Sequence, residues 1–107
     1  MNEGFIDDVG RTIKLVAAQR SHIEFFHPEA LKDPDKIKDT LLSPELIAEG
    51  TSVDTKIYYK YYGKTPVTSK YFAIVVKHLN GEGFILTAYF TQKVKRHKVI
   101  WKKSHTD

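Results

Sequence analysis

Gly83-Phe84-Ile85-Leu86-Thr87-Ala88-Tyr89-Phe90-Thr91 runs directly into Lys93-Val94-Lys95-Arg96-His97-Lys98, and the reading of this stretch decides the fold. Side chains alternate across a strand, so Phe84, Leu86, Ala88 and Phe90 form one row and Ile85, Thr87, Tyr89 and Thr91 the other. The first row suits a core packed against a helix carrying Ile23 and Phe26. The second, mostly hydroxyl-bearing, suits a ligand. Hydroxyls leading into clustered cations are the usual donors to phosphate oxygens, which makes nucleic acid the first ligand class. The same pattern also fits a half-exposed antiparallel strand whose threonines serve β propensity alone.

Working outward, Lys56-Ile57-Tyr58-Tyr59-Lys60-Tyr61-Tyr62 and Lys70-Tyr71-Phe72-Ala73-Ile74-Val75-Val76-Lys77 read as two further strands, with turns at Tyr62-Gly63-Lys64 and Asn80-Gly81. Phe72 to Val76 is apolar on both faces, as expected of a central strand. Val99-Ile100-Trp101 reads as an edge strand. Upstream, Ala17 to Phe26 lacks Gly and Pro and stops at His27-Pro28, because proline disfavours the helical region for the residue before it. Asp33-Pro34 supplies an N-cap and a first-turn proline for a second helix that turns Ile37, Leu41 and Leu42 inward and ends near Ser43-Pro44. A short turn is expected at Pro44-Glu45-Leu46-Ile47. Arg11 to Val16 alternates and fits either a short strand or a helix start. Helices first and sheet later define an α+β domain, with the N-terminal helices on one face of a curved antiparallel sheet and the other face open.

The 107 residues read as a single domain, and 41% hydrophobic with 12% aromatic content is enough for a core without staples. With no cysteine, thiol catalysis, disulfides and cysteine-containing zinc sites are excluded. The five histidines form no metal-ligand pattern, so neither a metal nor a cofactor is expected. No apolar run approaches a membrane span, and Met1-Asn2-Glu3-Gly4 does not resemble a secretory signal. The chain therefore reads as soluble and cytoplasmic, with no membrane partner. Its net charge of +4 is unevenly spread, since Asp107 is the only acid beyond Glu82. A basic C-terminal part favours a polyanion, although a solvated lysine-rich tail has the same composition. Phosphate-loop, dinucleotide and serine-hydrolase signatures are missing.

The order helix, His27-Pro28-Glu29, helix, Ser43-Pro44-Glu45-Leu46-Ile47, Tyr58-Tyr59-Lys60, Tyr71 to Lys77 and Phe84-Ile85-Leu86-Thr87-Ala88-Tyr89 resembles the small phage and bacterial members of the barnase/EndoU/colicin/RelE-like (BECR) nuclease superfamily. The resemblance covers roughly residues 10 to 101, through short motifs whose shared order carries it. It implies a toxin-like or phage-type endoribonuclease that cleaves RNA without metal beside the sheet, with an antitoxin or immunity protein among the partners it allows. Members commonly place a glycine in the basic turn before a closing tryptophan. Here Arg96-His97 occupies the turn and Trp101 closes it.

Metal-independent cleavage through the 2′-hydroxyl needs a base, an acid for the leaving oxygen, and donors for the phosphorane. Histidine suits the first two roles. His22 and His27 are five residues apart, about 140° around a regular helix, so they share a site only if His27 leaves the helix before Pro28. The alternative for His27 is a helix C-cap, and for His22 a surface position beside Arg20. Thr87 and Tyr89 would donate to the reacting phosphate, while Lys60, Thr91, Lys93, Lys95 and Arg96 would bind RNA. Either tyrosine row of Ile57 to Tyr62 suits base stacking or simply packs the sheet. Two further functions stay open: a catalytically silent RNA- or protein-binding module of the same fold, and an interaction module that uses an exposed sheet edge.

Overall fold

The structure, a computed structural model, describes residues 3–63 and 71–103. Lys64 of the expected turn, the expected strand start at Lys70 and the tail with His105 lie outside the described residues. Three of the strands form the expected meander: β4 (Thr55–Tyr61), β5 (Tyr71–Leu79) and β6 (Glu82–Thr91), paired antiparallel in sequence order. The β5–β6 connection is the two-residue loop Asn80-Gly81, both at positive φ (53° and 79°). Asn-Gly suits that mirror-image turn, whose twist matches the flanking strands.

Four short strands enlarge the meander to seven. β1 (Glu3–Ile6) and β2 (Thr12–Leu15) extend it beyond β6, while β3 (Leu46–Glu49) and β7 (Val99–Lys102) extend it beyond β4. The order is β1-β2-β6-β5-β4-β3-β7. Arg11 to Val16 thus resolves as a strand. The sheet is mixed rather than purely antiparallel, because β2 runs parallel to β6 through Ile13–Gly83 and Lys14–Phe84. A Cβ on Gly83 would collide with Ile13 Cδ1 and lie 2.9 Å from Val76 Cγ1, so glycine lets these strands approach. The turn expected over Pro44 to Ile47 is mostly strand: Leu46, Ile47 and Ala48 are buried and pair with Tyr59, Tyr58 and Ile57.

Helix α1 (Ala17–Phe26), a 3-10 helix at Pro28–Leu31 and helix α2 (Pro34–Leu42) cover one face of the sheet. Asp33 caps α2 by accepting from the Asp35 N–H at 3.1 Å, and Pro34 opens it. Ile23, Ala30, Ile37 and Leu41 meet Ile13, Leu15, Ile47, Tyr58, Phe72, Ile74, Val76, Ile85 and Ala88 in the main core. Phe26 and Leu42, expected inward, are 61% and 48% exposed. Each stands at the last turn of its helix, beyond the stripe set by Ile23 or by Ile37 and Leu41.

The second face is not simply open. Leu46, Ala48, Ile57, Tyr59 and Ala73 form a smaller buried cluster there, and Tyr71, Val75, Tyr89, Val94 and Val99 pack on it. The segment after β6 therefore folds back over this face and places its cations above the tyrosines. In β6 the expected inward row holds only in part. Thr87 pairs with Val75 but Ile85 pairs with Val76, so Leu86 is an extra residue at a β-bulge. Ala88 and Phe90 face the helices as expected, but Ile85 replaces Phe84 and Leu86 in that role. The bulge inverts the alternation at one point, and Gln19 Nε2 donates to the Leu86 carbonyl at 3.1 Å.

Candidate functional site

His27 closes α1 with its N–H donating to the Ile23 carbonyl at 2.7 Å, then leaves the helical region at φ −141°, ψ 60°. Pro28 is the cause, since it disfavours a helical residue before it. The His27 carbonyl accepts from Ala30 N–H at 2.9 Å, so the backbone of His27 is fixed on both sides. Among the described residues, β6 has no strand partner on its β2 side beyond Phe84, and α1 with the 3-10 helix packs against β6. The imidazole therefore reaches Tyr89, a residue of the second face, with ring centroids 5.6 Å apart. Glu29 Oε1 lies 3.9 Å from His27 Nδ1, an ion pair only when the ring is protonated.

Two β6 residues complete this edge on the second face. Tyr89 pairs with Ala73 and is half-buried, and burial pushes its phenol pKa up, with Tyr59 adding to the rise. A phenol held protonated is a donor, suited to an oxygen that gains charge. Thr87 pairs with Val75 on the same face, but its Oγ1 is enclosed and has no hydrogen-bond partner among the described residues. An unpaired hydroxyl of this kind costs about 1–3 kcal/mol, so its presence calls for a reason outside packing.

The basic segment reaches the same face with unequal roles. Thr91 Oγ1 accepts from Lys93 N–H and donates to Lys93 O, both at 3.1 Å, so its hydroxyl closes the turn rather than standing free. Lys93 and Arg96 are exposed and Lys95 is half-buried. Lys95 also presents its backbone N–H to the Tyr59 hydroxyl, whose pKa is raised by burial despite that contact. Arg96 Nη2 donates to Tyr71 Oη at 3.4 Å.

Two sequence-predicted residues sit apart from this edge. His22 is exposed on α1 with its ring 4.9 Å from that of Phe26. Lys60 pairs with Phe72 on the helix-covered face, and its Nζ donates to the Ser43 carbonyl at 2.9 Å, at the C-terminal end of α2. Strand alternation puts Lys60 opposite Tyr59 and Tyr61, so it stabilises a helix end instead of joining the cations.

The sequence reading passed over Glu29 and a buried polar knot. Glu29 was visible only as part of His27-Pro28-Glu29, where the proline turns it beside the imidazole. In the knot, Asp7 is 1% exposed. Its Oδ1 accepts from the Val9 and Arg11 N–H groups, and its Oδ2 from Arg11 Nε at 2.8 Å and Tyr58 Oη at 2.9 Å. Burial raises the Asp7 pKa, but these donors outweigh it and the net shift is downward. Burial first, then Asp7, pushes the Tyr58 phenol up. Tyr58 Oη also lies 3.3 Å from His78 Nε2. Both Asp7 and Tyr58 are too enclosed to meet a substrate, so the knot ties the β1–β2 loop to the sheet.

No family model, curated protein or solved structure matches this chain. At the edge of β6 an imidazole has a carboxylate behind it and a protonated phenol before it, and the basic segment after β6 packs on the same face of the sheet as that phenol. Such a set can move a proton and stabilise developing negative charge on a phosphate.

Proposed function

We propose that this chain is a metal-independent endoribonuclease of the BECR type, toxin-like or phage-encoded, which cleaves RNA through attack of the 2′-hydroxyl on the adjacent phosphate. The observation that carries the reading is the placement of His27 against Tyr89, because it joins a group fitted for proton transfer to one fitted for oxyanion donation. In the reaction, His27 takes the 2′-hydroxyl proton as the 2′-oxygen bonds to phosphorus, and a protonated group releases the 5′-oxygen. One histidine can serve both ends in turn, with Glu29 favouring the imidazolium once it forms. Tyr89 donates to a non-bridging oxygen, and Lys93, Lys95 and Arg96 supply positive potential on the same side.

Thr87 acts from within the wall, and Thr91 acts by shaping the turn that carries the cations. The experiment is cleavage of end-labelled RNAs by the full chain, with His27→Ala beside it. A 2′,3′-cyclic phosphate product lost in the variant supports the reading. Cleavage that survives the substitution removes His27 from it. The silent binding module predicts RNA affinity with no product at all.

A further inference from the structure

Among the described residues, the sheet ends at two free edges, β1 and β7. Natural sheets guard such edges with charge, because unpaired amides otherwise template another strand. β7 is guarded, since it carries Lys102 and is flanked by the exposed Lys98 and Lys103. β1, Glu3-Gly4-Phe5-Ile6, is not: Glu3 is drawn back to Arg20 by an ion pair at 3.0 Å, and Ile6 is 50% exposed. Beside it lies a cavity of about 510 Å³ lined by Gly4, Phe5, Ile6, Lys38 and Leu42, with Leu42 itself exposed.

The backbone of β1 fixes which of its groups face outward. Asp7 N–H donates to the Arg11 carbonyl at 3.0 Å, and the pairing continues as Ile6–Thr12, Phe5–Ile13 and Gly4–Lys14. Bonded and non-bonded pairs alternate in an antiparallel ladder, so Asp7, Phe5 and Glu3 turn their amides toward β2 while Gly4 and Ile6 turn theirs to the free edge. β1 also holds a glycine that its own fold does not call for. Gly4 is not among the residues at positive φ, and nothing lies within 4 Å of the place its Cβ would take. A strand glycine weakens its strand, and such a position marks the close approach of another backbone.

We infer that β1 is a self-docking edge: two copies of this chain pair through it, antiparallel about a two-fold axis at Phe5, and join their sheets. Directly opposite residues share a face, so the register that uses every outward group sets Gly4 against the second copy's Ile6 and Ile6 against its Gly4, each pair exchanging two hydrogen bonds. Each isoleucine then covers the space that a glycine leaves open. The two Phe5 side chains meet at the axis on the helix-covered face, where Phe5 already packs on the main core and the cavity opens toward Leu42. Glu3 and Asp7 come opposite each other at the ends of the pairing, but each is already held by its own arginine, Arg20 and Arg11. A strand of four residues with so few apolar side chains covers less than the roughly 800 Å² per partner of a standard interface, so the dimer is weak and reversible.

The test is sedimentation equilibrium of the full chain from about 10 μM to about 1 mM, with dimerisation expected at a dissociation constant of roughly 100 μM. Ile6→Lys sets a charge against the edge and should weaken the dimer by roughly tenfold or more, while Ile100→Lys on β7 leaves it unchanged. Both positions are half exposed, so thermal midpoints should stay near the parent. The chain has no cysteine, which makes single thiols informative. Phe5→Cys places two thiols at the axis, where Cα atoms about 4.5 Å apart fall in disulfide range, and should oxidise to a covalent dimer. In Gly4→Cys the two thiols stand diagonally, about 7–8 Å apart, and should cross-link roughly tenfold more slowly. A chain that stays monomeric at the highest concentration overturns the inference and leaves the edge to a strand of another protein. So does a dimer that survives Ile6→Lys, that is lost in Ile100→Lys instead, or that cross-links through Gly4→Cys as fast as through Phe5→Cys.

Discussion

The ring of His27, at the end of a helix on one face of the sheet, lies 5.6 Å from the ring of Tyr89, whose strand neighbours belong to the other face. The contact is made around an edge. Only Gly83 and Phe84 of β6 pair with β2, which leaves the rest of that edge to α1 and the turn at Pro28. A group placed there touches one face from the other and stays open to solvent at its outer side, so the edge combines a rigid scaffold with access. His27 and Glu29 retain 35% and 27% side-chain exposure, enough for a phosphate to approach.

His27→Ala is expected to slow RNA cleavage by roughly a hundredfold or more with little change in RNA affinity, as for loss of a general acid or base. The ring is part-exposed and packs on Tyr89 at the margin of the second cluster, so the thermal midpoint should fall only slightly. His22→Ala is the matched control, since that ring packs on Phe26 at the surface. Gel assay of a labelled substrate gives the rates. Equal loss in both variants would move catalysis away from this edge.

Tyr89→Phe keeps the ring beside His27 and removes only the donor, with an expected loss of roughly a hundredfold in kcat and little in KM, the size seen for one transition-state donor. Thr87→Val should separate stability from activity. Its enclosed hydroxyl has no partner, so an apolar isostere should raise the thermal midpoint slightly. If that hydroxyl serves the reaction, turnover falls in the same protein. A Thr87→Val variant that is both less stable and fully active would contradict both halves.

Locally encoded features were legible in the sequence. Asn80-Gly81 and Asp33-Pro34 dictate their own turn and cap through backbone preferences, and the meander follows from strand alternation between them. Features set by distant contacts were not. The Leu86 bulge depends on Gln19, sixty-seven residues away, to satisfy its carbonyl, and the parallel pairing depends on Gly83 meeting Ile13. β3 was hidden because Pro44 and Gly50 bracket a run too short to show a period. Likewise Thr87, Tyr89 and the cations could be read from β6 and its basic extension, whereas the reach of His27 around the sheet edge leaves no trace in any periodicity. Lys60 shows the converse, since its charge suggested RNA while its strand position turns it to the Ser43 carbonyl.

Replacing Lys93, Lys95 and Arg96 together with alanine should lower RNA affinity at low salt and flatten the dependence of log affinity on log salt by up to about two units, close to 0.7 per lost phosphate contact on a single strand. Lys60→Ala is expected to leave that slope unchanged and to cost a little stability at the end of α2. Fluorescence anisotropy across a salt series measures both. A triple variant with the parent slope would show that these cations do not face the RNA backbone.

The buried knot makes stability depend on pH in a direction that its residues fix. Burial, then Arg11 and Lys56, push the His78 pKa below its ordinary 6.5, against the weaker pull of Asp7 and Asp54. A histidine with a depressed folded pKa is neutral in the fold but binds a proton in the unfolded chain, so its contribution is complete above pH 6.5 and is lost as pH falls toward the folded value. Asp7 has the same sign in a lower window: burial opposes ionisation but the donors prevail, so its contribution is present above 3.8 and disappears as pH falls below that. Its neighbour Asp8, pushed up by burial and by Asp7, works in the opposite sense within the carboxylate range. The decline that sets in just below pH 6.5 is therefore the signature of His78. The midpoint of urea unfolding should drop between neutral pH and mild acid, and His78→Gln, which keeps a polar group near the Tyr58 hydroxyl without titrating, should flatten that drop. An unchanged slope in His78→Gln would place the proton uptake elsewhere. Tyr58→Phe is the companion variant: it removes one of the donors to Asp7, so the Asp7 pKa should rise and acid unfolding should begin at higher pH.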